Sequence, residues 1–530
     1  MSERRFRLGI DVGGTFTDVV AIDADTREVA ARVKVPTTHA APEGVARGII
    51  EGIKAILAHG VGPHEIGFIA HSTTQATNAL LEGDVARVAV VGLLDGLAPL
   101  ARMQMRFAPI LLAPGVRFEP QFAFARENNA AQTGEHVERL RAGGAQAIAF
   151  SQAFGVDHPD AERRAVLQAR DLGMFATAGH EVSSMYGLRA RTRTAALNAA
   201  ILPRMVRTAD MTAQALEQSA IQVPLMIMRS DGGVMDVREM RRRPILTMLS
   251  GPAAGVAGAL LHENVTDGIF IEVGGTSADC SAIRAGMPQM RPARIGGHRT
   301  MLRTLDVRTL AIAGGSMVRA DGATIIDVGP RSAHIAGLKY ASFVPPQIFE
   351  GAQAQRIAPT QHDAEDYVAI VTKDGTRIAL TPTCAANMLG YVPEGAFARG
   401  DAHAARRGFE VLGTQLGADP ATLAQLTLDK ASAKLRVAIE DLIADYELDP
   451  RTLAIVGGGG GAAALVPYTA MRMGLDVRLA RDAEVISPVG VALALVREVV
   501  ERTIVDPSPE DILRIRREAQ DAVVASGASP

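Results

Sequence analysis

Ile10-Asp-Val-Gly-Gly-Thr-Phe-Thr-Asp18 decides how this sequence is read, because Ile271-Glu-Val-Gly-Gly-Thr-Ser-Ala-Asp279 repeats it about 260 residues later. Arg7–Val12 predicts a strand, Gly13-Gly14 a turn, and Thr17–Asp23 a second strand rich in β-branched residues. Ile269–Val273, Gly274-Gly275 and Ala278–Ala285 predict the same hairpin again. Adjacent glycines tolerate positive φ and let backbone approach a ligand closely. Exposed N–H groups in such a turn form a nest for anions. Thr15 and Thr17, and Thr276 and Ser277 in the second copy, add hydroxyl donors. Asp11 and Glu272 sit at strand ends, where a carboxylate holds Mg²⁺ directly or through water. One such hairpin reads equally well as a plain turn. Two of them predict a polyphosphate clamp presented by two lobes.

Working outward, Glu28–Val35 predicts a third strand, and Pro42–Leu57 has apolar residues at helical spacing. Short buried strands are expected at Ile66–Ala70, Arg87–Gly92, Gly144–Phe150 and Met174–Ala178, with a charged helix near Asp160–Asp171. This alternation implies an α/β lobe over 1–180. A second α/β lobe is expected over 181–530. It opens with helices at Thr194–Met205 and Thr208–Ala220, and has a strand at Pro224–Arg229. Phe343–Gln361 reads as irregular. Asp366–Thr372 and Thr376–Thr381 flank Lys373-Asp-Gly375 and predict a hairpin. Ala402–Leu416 and Thr422–Tyr446 read as helices.

The chain has 530 residues, enough to bury sizeable cores. Its 48% hydrophobic and 21% charged residues are ordinary for a globular protein, which argues against widespread disorder. A formal net charge of −3 rules out a molecule-wide basic surface for nucleic acid. Cys280 and Cys384 are the two cysteines, too few for a disulfide framework or a cysteine-based zinc site. They fit a reducing cytoplasm. No secretory signal or membrane span is visible, so a cytoplasmic protein is expected.

A third glycine motif, Ile455-Val-Gly-Gly-Gly-Gly-Gly-Ala462, follows a predicted strand and precedes a helix. Gly457, Gly458, Gly459 and Gly460 would lay flat backbone against a ligand. The packing-loop alternative stays open. No Walker-type G-x-x-x-x-G-K-[ST] occurs. His71 precedes Ser72-Thr73-Thr74 and suits either acid–base work or a structural role. Thr73, Thr74 and Asn78 are candidates for substrate contacts or for capping the next helix. Arg229 and Ser230 are candidates for an anionic substrate or for a solvated turn.

Together the three glycine motifs resemble those of the sugar kinase, heat-shock-70 and actin superfamily. The nearer resemblance is to the hydantoinase A, 5-oxoprolinase and acetone carboxylase beta-subunit family. It rests also on His71–Leu81, Arg229-Ser-Asp-Gly-Gly233, Leu249–Gly255 and Ala313-Gly-Gly-Ser316. The resemblance implies an α/β ATPase fold of two lobes with an interlobe nucleotide cleft. It implies ATP and Mg²⁺ as cofactors, with Asp11 and Glu272 organising the metal. The two Gly-Gly-Thr turns would take the β- and γ-phosphates, Gly314, Gly315 and Ser316 would lie near phosphates or substrate, and Gly457–Gly461 would face the adenosine. Asp18 or Asp279 would be a base or a structural ligand. The implied activity is phosphorylation of an amide or enol oxygen of a small carbonyl substrate. A companion subunit of the hydantoinase B type would then complete hydrolysis or carboxylation in a hetero-oligomer without nucleic acid or membrane. The chain departs from the family pattern at Glu272, where the family usually has Asp, at Ala385, also usually Asp, and in Arg331–Gly337. Two alternatives therefore stay open: an ATPase that remodels a partner protein, and a non-catalytic paralogous subunit.

Overall fold

Central strands with apolar residues on both faces organise both halves of the chain. In the computed structural model, which describes residues 5–38, 44–94, 98–502 and 504–528, contacts divide the chain into two compact units. One comprises Met1–Ala257, Met290–Leu305 and Val491–Pro530; the other comprises Gly258–Gln289 and Asp306–Gly490. These are not the stretches 1–180 and 181–530. The reason is one helix, Leu188–Gln218. Its Ala195, Ala196, Leu197, Ala199 and Ile201 share a core with Leu8, Ile10, Ile69 and Val90. The sequence reads this span as two helices. The helix instead continues without a break from Met205 to Thr208, because both of its halves bury apolar residues in that core.

In the first unit the sheet order is Val234–Asp236, Leu225–Met228, Ile66–Thr73, Phe6–Val12, Phe16–Asp23, Val29–Pro36. In the second it is Met287–Pro288, Ala278–Arg284, Gly268–Val273, Ala454–Gly458, Asp476–Leu479. In each, the first hairpin strand is antiparallel to its partner and parallel to a strand arriving later, Ile66–Thr73 or Ala454–Gly458. The hairpin repeat read from the sequence is thus a repeat of a whole mixed sheet. Leu8, Ile10 and Val12, like Ile269, Ile271 and Val273, are at most 1% exposed, as an interior strand requires. The first unit adds four parallel strands, in the order Phe175–Ala178, Ala147–Gln152, Val88–Leu94, Gln121–Arg126.

The helix expected over Pro42–Leu57 is Ala46–Ala58; Pro42 lies outside the described residues. Phe343–Gln361 is not wholly irregular. Gln353–Ile357 forms an edge strand on Tyr367–Val371, and its polar Gln353, Gln355 and Arg356 suit an edge that needs no second buried face. Both cysteines are buried. Burial, together with neighbouring Asp279, pushes the Cys280 thiol up to about 12, so it is an inert core group. Among the described residues, no helix is long and apolar enough to cross a membrane.

Candidate functional site

Each hairpin sets two carboxylates directly opposite one another across its ladder: Asp11 faces Asp18, and Glu272 faces Asp279. Like charges in that position are destabilising, so the repeat of the arrangement asks for a cation. In the first unit, Lys34 Nζ meets both carboxylate oxygens of Asp18 at 3.0 Å. Asp11 has no such partner among the described residues and instead accepts a hydrogen bond from the Ser72 hydroxyl. Burial pushes its carboxyl up to about 6, opposed by Ser72 and Lys34 and reinforced by Asp18.

The Gly13 N–H donates to the Phe16 carbonyl at 3.0 Å and closes the turn, leaving Gly14 and Thr15 exposed. Positive φ is not what the glycines supply: none of Gly13, Gly14, Gly274 and Gly275 lies in the left-handed region. A Cβ at Gly14 would meet no described atom within 4 Å, and one at Gly13 would lie 3.0 Å from the Phe16 oxygen. The space beside Gly14 is therefore open. The helix Ser250–Leu261 starts beside this turn. Ser250 Oγ donates to the Thr73 carbonyl at 2.9 Å and accepts from the Thr73 N–H at 3.0 Å. A Cβ at Gly251 would lie 4.0 Å from both Asp11 Oδ1 and Thr74 Cγ2. Asp11, the Gly-Gly turn, Thr73, Thr74 and a helix N-terminus are thus brought together, a setting suited to a phosphate with its cation.

In the second unit, Gly274 N–H donates to the Ser277 carbonyl at 3.0 Å, the same closure as in the first hairpin. Ser487 Oγ donates to Glu272 Oε1 at 2.6 Å, and Thr309 Oγ1 donates to Asp279 Oδ1 at 2.5 Å. Burial raises the Asp279 pKa against that hydrogen bond. Three glycine segments converge here. A Cβ at Gly314 would lie 2.7 Å from Thr383 Oγ1 and 3.3 Å from the Gly461 Cα; one at Gly315 would lie 2.5 Å from the Gly275 carbonyl. The Gly461 N–H donates to the Val273 carbonyl at 2.8 Å, tying the pentaglycine loop to the second hairpin. Gly459 and Gly460 line a cavity of 250 Å³ with Phe397, Leu479, Asp482 and Glu484. Phe397, 64% exposed, packs against Gly460. Neither Thr383 nor Phe397 stands out in the sequence as a site residue, since nothing local marks them. His334 has its ring over Gly275: a Cβ there would lie 2.5 Å from its Cδ2.

Other candidates are placed elsewhere. Thr17 is fully buried and spends its hydroxyl on Thr37 at 2.9 Å, because strand alternation turns it inward. Gly457 and Gly458 are buried against Leu479 and Phe270, a packing role. Ser316 Oγ accepts from the Ala313 N–H at 2.9 Å and closes a turn. Thr276 is exposed on the second turn. His71 is 1% exposed, its Nδ1 lies 3.2 Å from the Ser72 carbonyl, and burial pushes it down to about 4. It is an uncharged interior imidazole at neutral pH. Arg229 is neither a solvated turn residue nor an open anion site. It is 6% exposed and bonded to Glu498, Asp231 and the Arg497 carbonyl. Ser230 is buried too, its hydroxyl 3.4 Å from the Arg303 carbonyl. Thr74 precedes the helix Gln75–Glu82, and the Asn78 N–H donates to its carbonyl.

No group of three or more His, Cys, Asp or Glu able to hold a metal occurs among the described residues. Mg²⁺ on a nucleotide needs only one or two carboxylates, since phosphate oxygens and waters fill its shell. Asp11 in the first hairpin and Glu272 in the second are carboxylates of that kind.

The hydantoinase/oxoprolinase N-terminal region matches residues 7–173, and the hydantoinase/oxoprolinase model matches residues 191–500. The chain belongs to the hydantoinase/oxoprolinase family. Among family relatives, it is 30% identical over 373 residues to the caprolactamase subunit alpha of Pseudomonas jessenii, covering 63% of this chain and 51% of that one. It is 27% identical over 375 residues to the acetophenone carboxylase gamma subunit of Aromatoleum aromaticum, covering 62% and 49%. The chain spans about half the length of the curated relatives it matches. It shares its fold with the crystal structure of the ATP-dependent caprolactamase from Pseudomonas jessenii, at TM-score 0.70 and 22% identity over 99% of this chain and 77% of that one. The nucleotide-free acetone carboxylase structure gives 0.61 and 18%, over 99% and 78%.

Proposed function

We propose that this chain is the ATP-using subunit of an amide-ring hydrolase or a carboxylase. The repeated hairpin with its paired carboxylates and open glycine turn carries the reading, in a family whose relatives include a caprolactamase and a carboxylase. Each Gly-Gly-Thr turn is a nest for a nucleotide phosphate, with Asp11 in the first unit and Glu272 in the second each a carboxylate for the accompanying Mg²⁺. The 250 Å³ cavity beside Gly459 and Gly460 takes the adenosine. ATP supplies a phosphoryl group that makes a carbonyl oxygen a good leaving group. Backbone N–H groups of the turns and the helix at Ser250 neutralise the charge that develops. A companion subunit of the hydantoinase B type completes hydrolysis or carboxylation.

The deciding experiment is ADP release by the native protein with its companion, across hydantoins, 5-oxoproline, other lactams, and ketones with bicarbonate. Stimulation by one class is expected. Steady release indifferent to every compound would sink carbonyl activation and favour an ATPase that remodels a partner. Failure to bind ATP would favour a non-catalytic subunit.

Phe397→Ala tests the adenosine cavity. Stacking a base on an aromatic ring contributes about 1–3 kcal/mol, so ATP affinity is expected to fall roughly 5- to 150-fold by calorimetry. The melting temperature should stay within a degree or two, because the ring is largely exposed. Unchanged affinity would move the adenosine elsewhere.

A further inference from the structure

A cluster of arginines sits on a hairpin the sequence reading passes over. Met290–Ile295 and His298–Leu305 form a two-stranded antiparallel sheet in the first unit. Arg294 stands directly across the ladder from Arg299. Like charges in that register repel, and a hairpin selected for stability alone would place a Glu or Thr at one of them. Arg291, Pro292, Arg294 and Arg299 line a concavity of 510 Å³, and no carboxylate is among the described residues lining it. A fourth arginine backs it: Arg193 Nη1 donates to the Arg299 carbonyl at 3.0 Å, while its buried Nε has no hydrogen-bond partner among the described residues. Arg294 and Arg299 are both exposed.

We infer that this pocket binds a small polyanion bearing two or more phosphate or carboxylate groups. Guanidinium forks match both groups bidentately. The concavity falls within the roughly 300–1,000 Å³ of small-molecule sites, so a free metabolite-sized anion fits it better than a broad flat partner surface would. An anion between Arg294 and Arg299 turns the repulsion across the ladder into a clamp. The inference is independent of the ATP assignment, which uses other residues.

The test is calorimetric titration of the full chain with pyrophosphate and, separately, citrate, in metal-free buffer at low salt. Saturable binding of one or both is expected, and which one binds names the anionic group. Arg294→Gln/Arg299→Gln should weaken binding at least about tenfold, since each charged hydrogen bond contributes appreciably. Raising the salt should weaken it further. Arg294→Glu creates an opposite-charge pair with Arg299, so it should abolish binding while raising the melting temperature of the anion-free protein. That rise separates a lost site from a lost fold. Absence of saturable binding by both anions, or undiminished binding by either variant, would overturn the inference.

Discussion

Asp11→Asn is expected to cut Mg·ATP turnover by at least about 100-fold while making the protein more stable at neutral pH. On the proposed function, the rate loss follows from removing a carboxylate that would hold the metal where charge develops in phosphoryl transfer, an effect on the order of 10²–10³ for one preorganised group. The stability gain follows from burial. The Asp11 carboxyl is pushed up to about 6 from an ordinary 3.8, so ionising it opposes folding. Stability attached to this group is full below pH 3.8, falls as pH rises through 6, and stays low above. Asn escapes that loss and can still accept the Ser72 hydrogen bond. The gap in unfolding free energy between variant and wild type should open between about pH 4 and 6. It should then hold to pH 8, at no more than about 3 kcal/mol for a shift of this size, less whatever solvent screens. Urea melts at pH 4.5 and 8, with ADP release at pH 8, measure both halves. Wild-type turnover in the variant would remove Asp11 from the metal site. A pH-independent gap would mean that burial is not what perturbs the carboxyl.

Arg229→Ala is expected to be the most destabilising single substitution of those considered, at about 3–5 kcal/mol. The Arg229 guanidinium meets Glu498 at 2.5 Å and Asp231 at 3.1 Å, and all three side chains are at most 11% exposed. Burial alone would raise Glu498, but Arg229 and Arg243 overcome it and hold the carboxyl below its ordinary value. Removing Arg229 leaves Arg243, at 2.9 Å, as the remaining charged partner of Glu498. The lowered Glu498 pKa contributes stability that is present above about pH 4.5 and lost as pH falls through its folded value. The penalty of the variant should therefore shrink in acid. Chemical denaturation at pH 7 and pH 4 checks this; a loss under 1 kcal/mol at pH 7 would mean that Arg243 suffices. Arg229→Gln/Glu498→Gln should recover part of the loss, because it removes a buried carboxylate that has lost one of its two arginines.

Arg229 also shows where sequence reading stops. Its partner Glu498 lies 269 residues away, and nothing beside Arg229-Ser-Asp-Gly-Gly233 announces it. What was legible was local and repeated. The strand–Gly-Gly–strand pattern at Ile10–Asp18 returned at Ile271–Asp279 with its acids in the same register, and periodicity placed Ala402–Leu416 and Asp160–Asp171 to the residue. Thr17 misled because a hydroxyl in a glycine motif looks like a donor, whereas alternation along the strand had already turned it inward. The break expected between Met205 and Thr208 does not occur, because Met205, Ala209 and Leu216 on either side of it pack into one core. Phe397 and Thr383 were invisible because folding alone brings them to the glycine loops.

The return of residues 491–528 to the first unit sets an order of events during synthesis. Arg7 Nε bonds the Ala492 carbonyl at 2.6 Å, Val234 bridges to Val496, and Asp236 N–H donates to the Ser526 carbonyl at 2.8 Å. At roughly 5–20 residues per second, Arg229 emerges about 15–50 s before Glu498 exists. In the meantime Gly258–Gly490 emerges with every residue that the second unit needs, interrupted only by the hairpin at 290–305. On the ribosome, the unit translated first is thus the one completed last, waiting with Arg229 paired to Asp231 but still without its second carboxylate, Glu498.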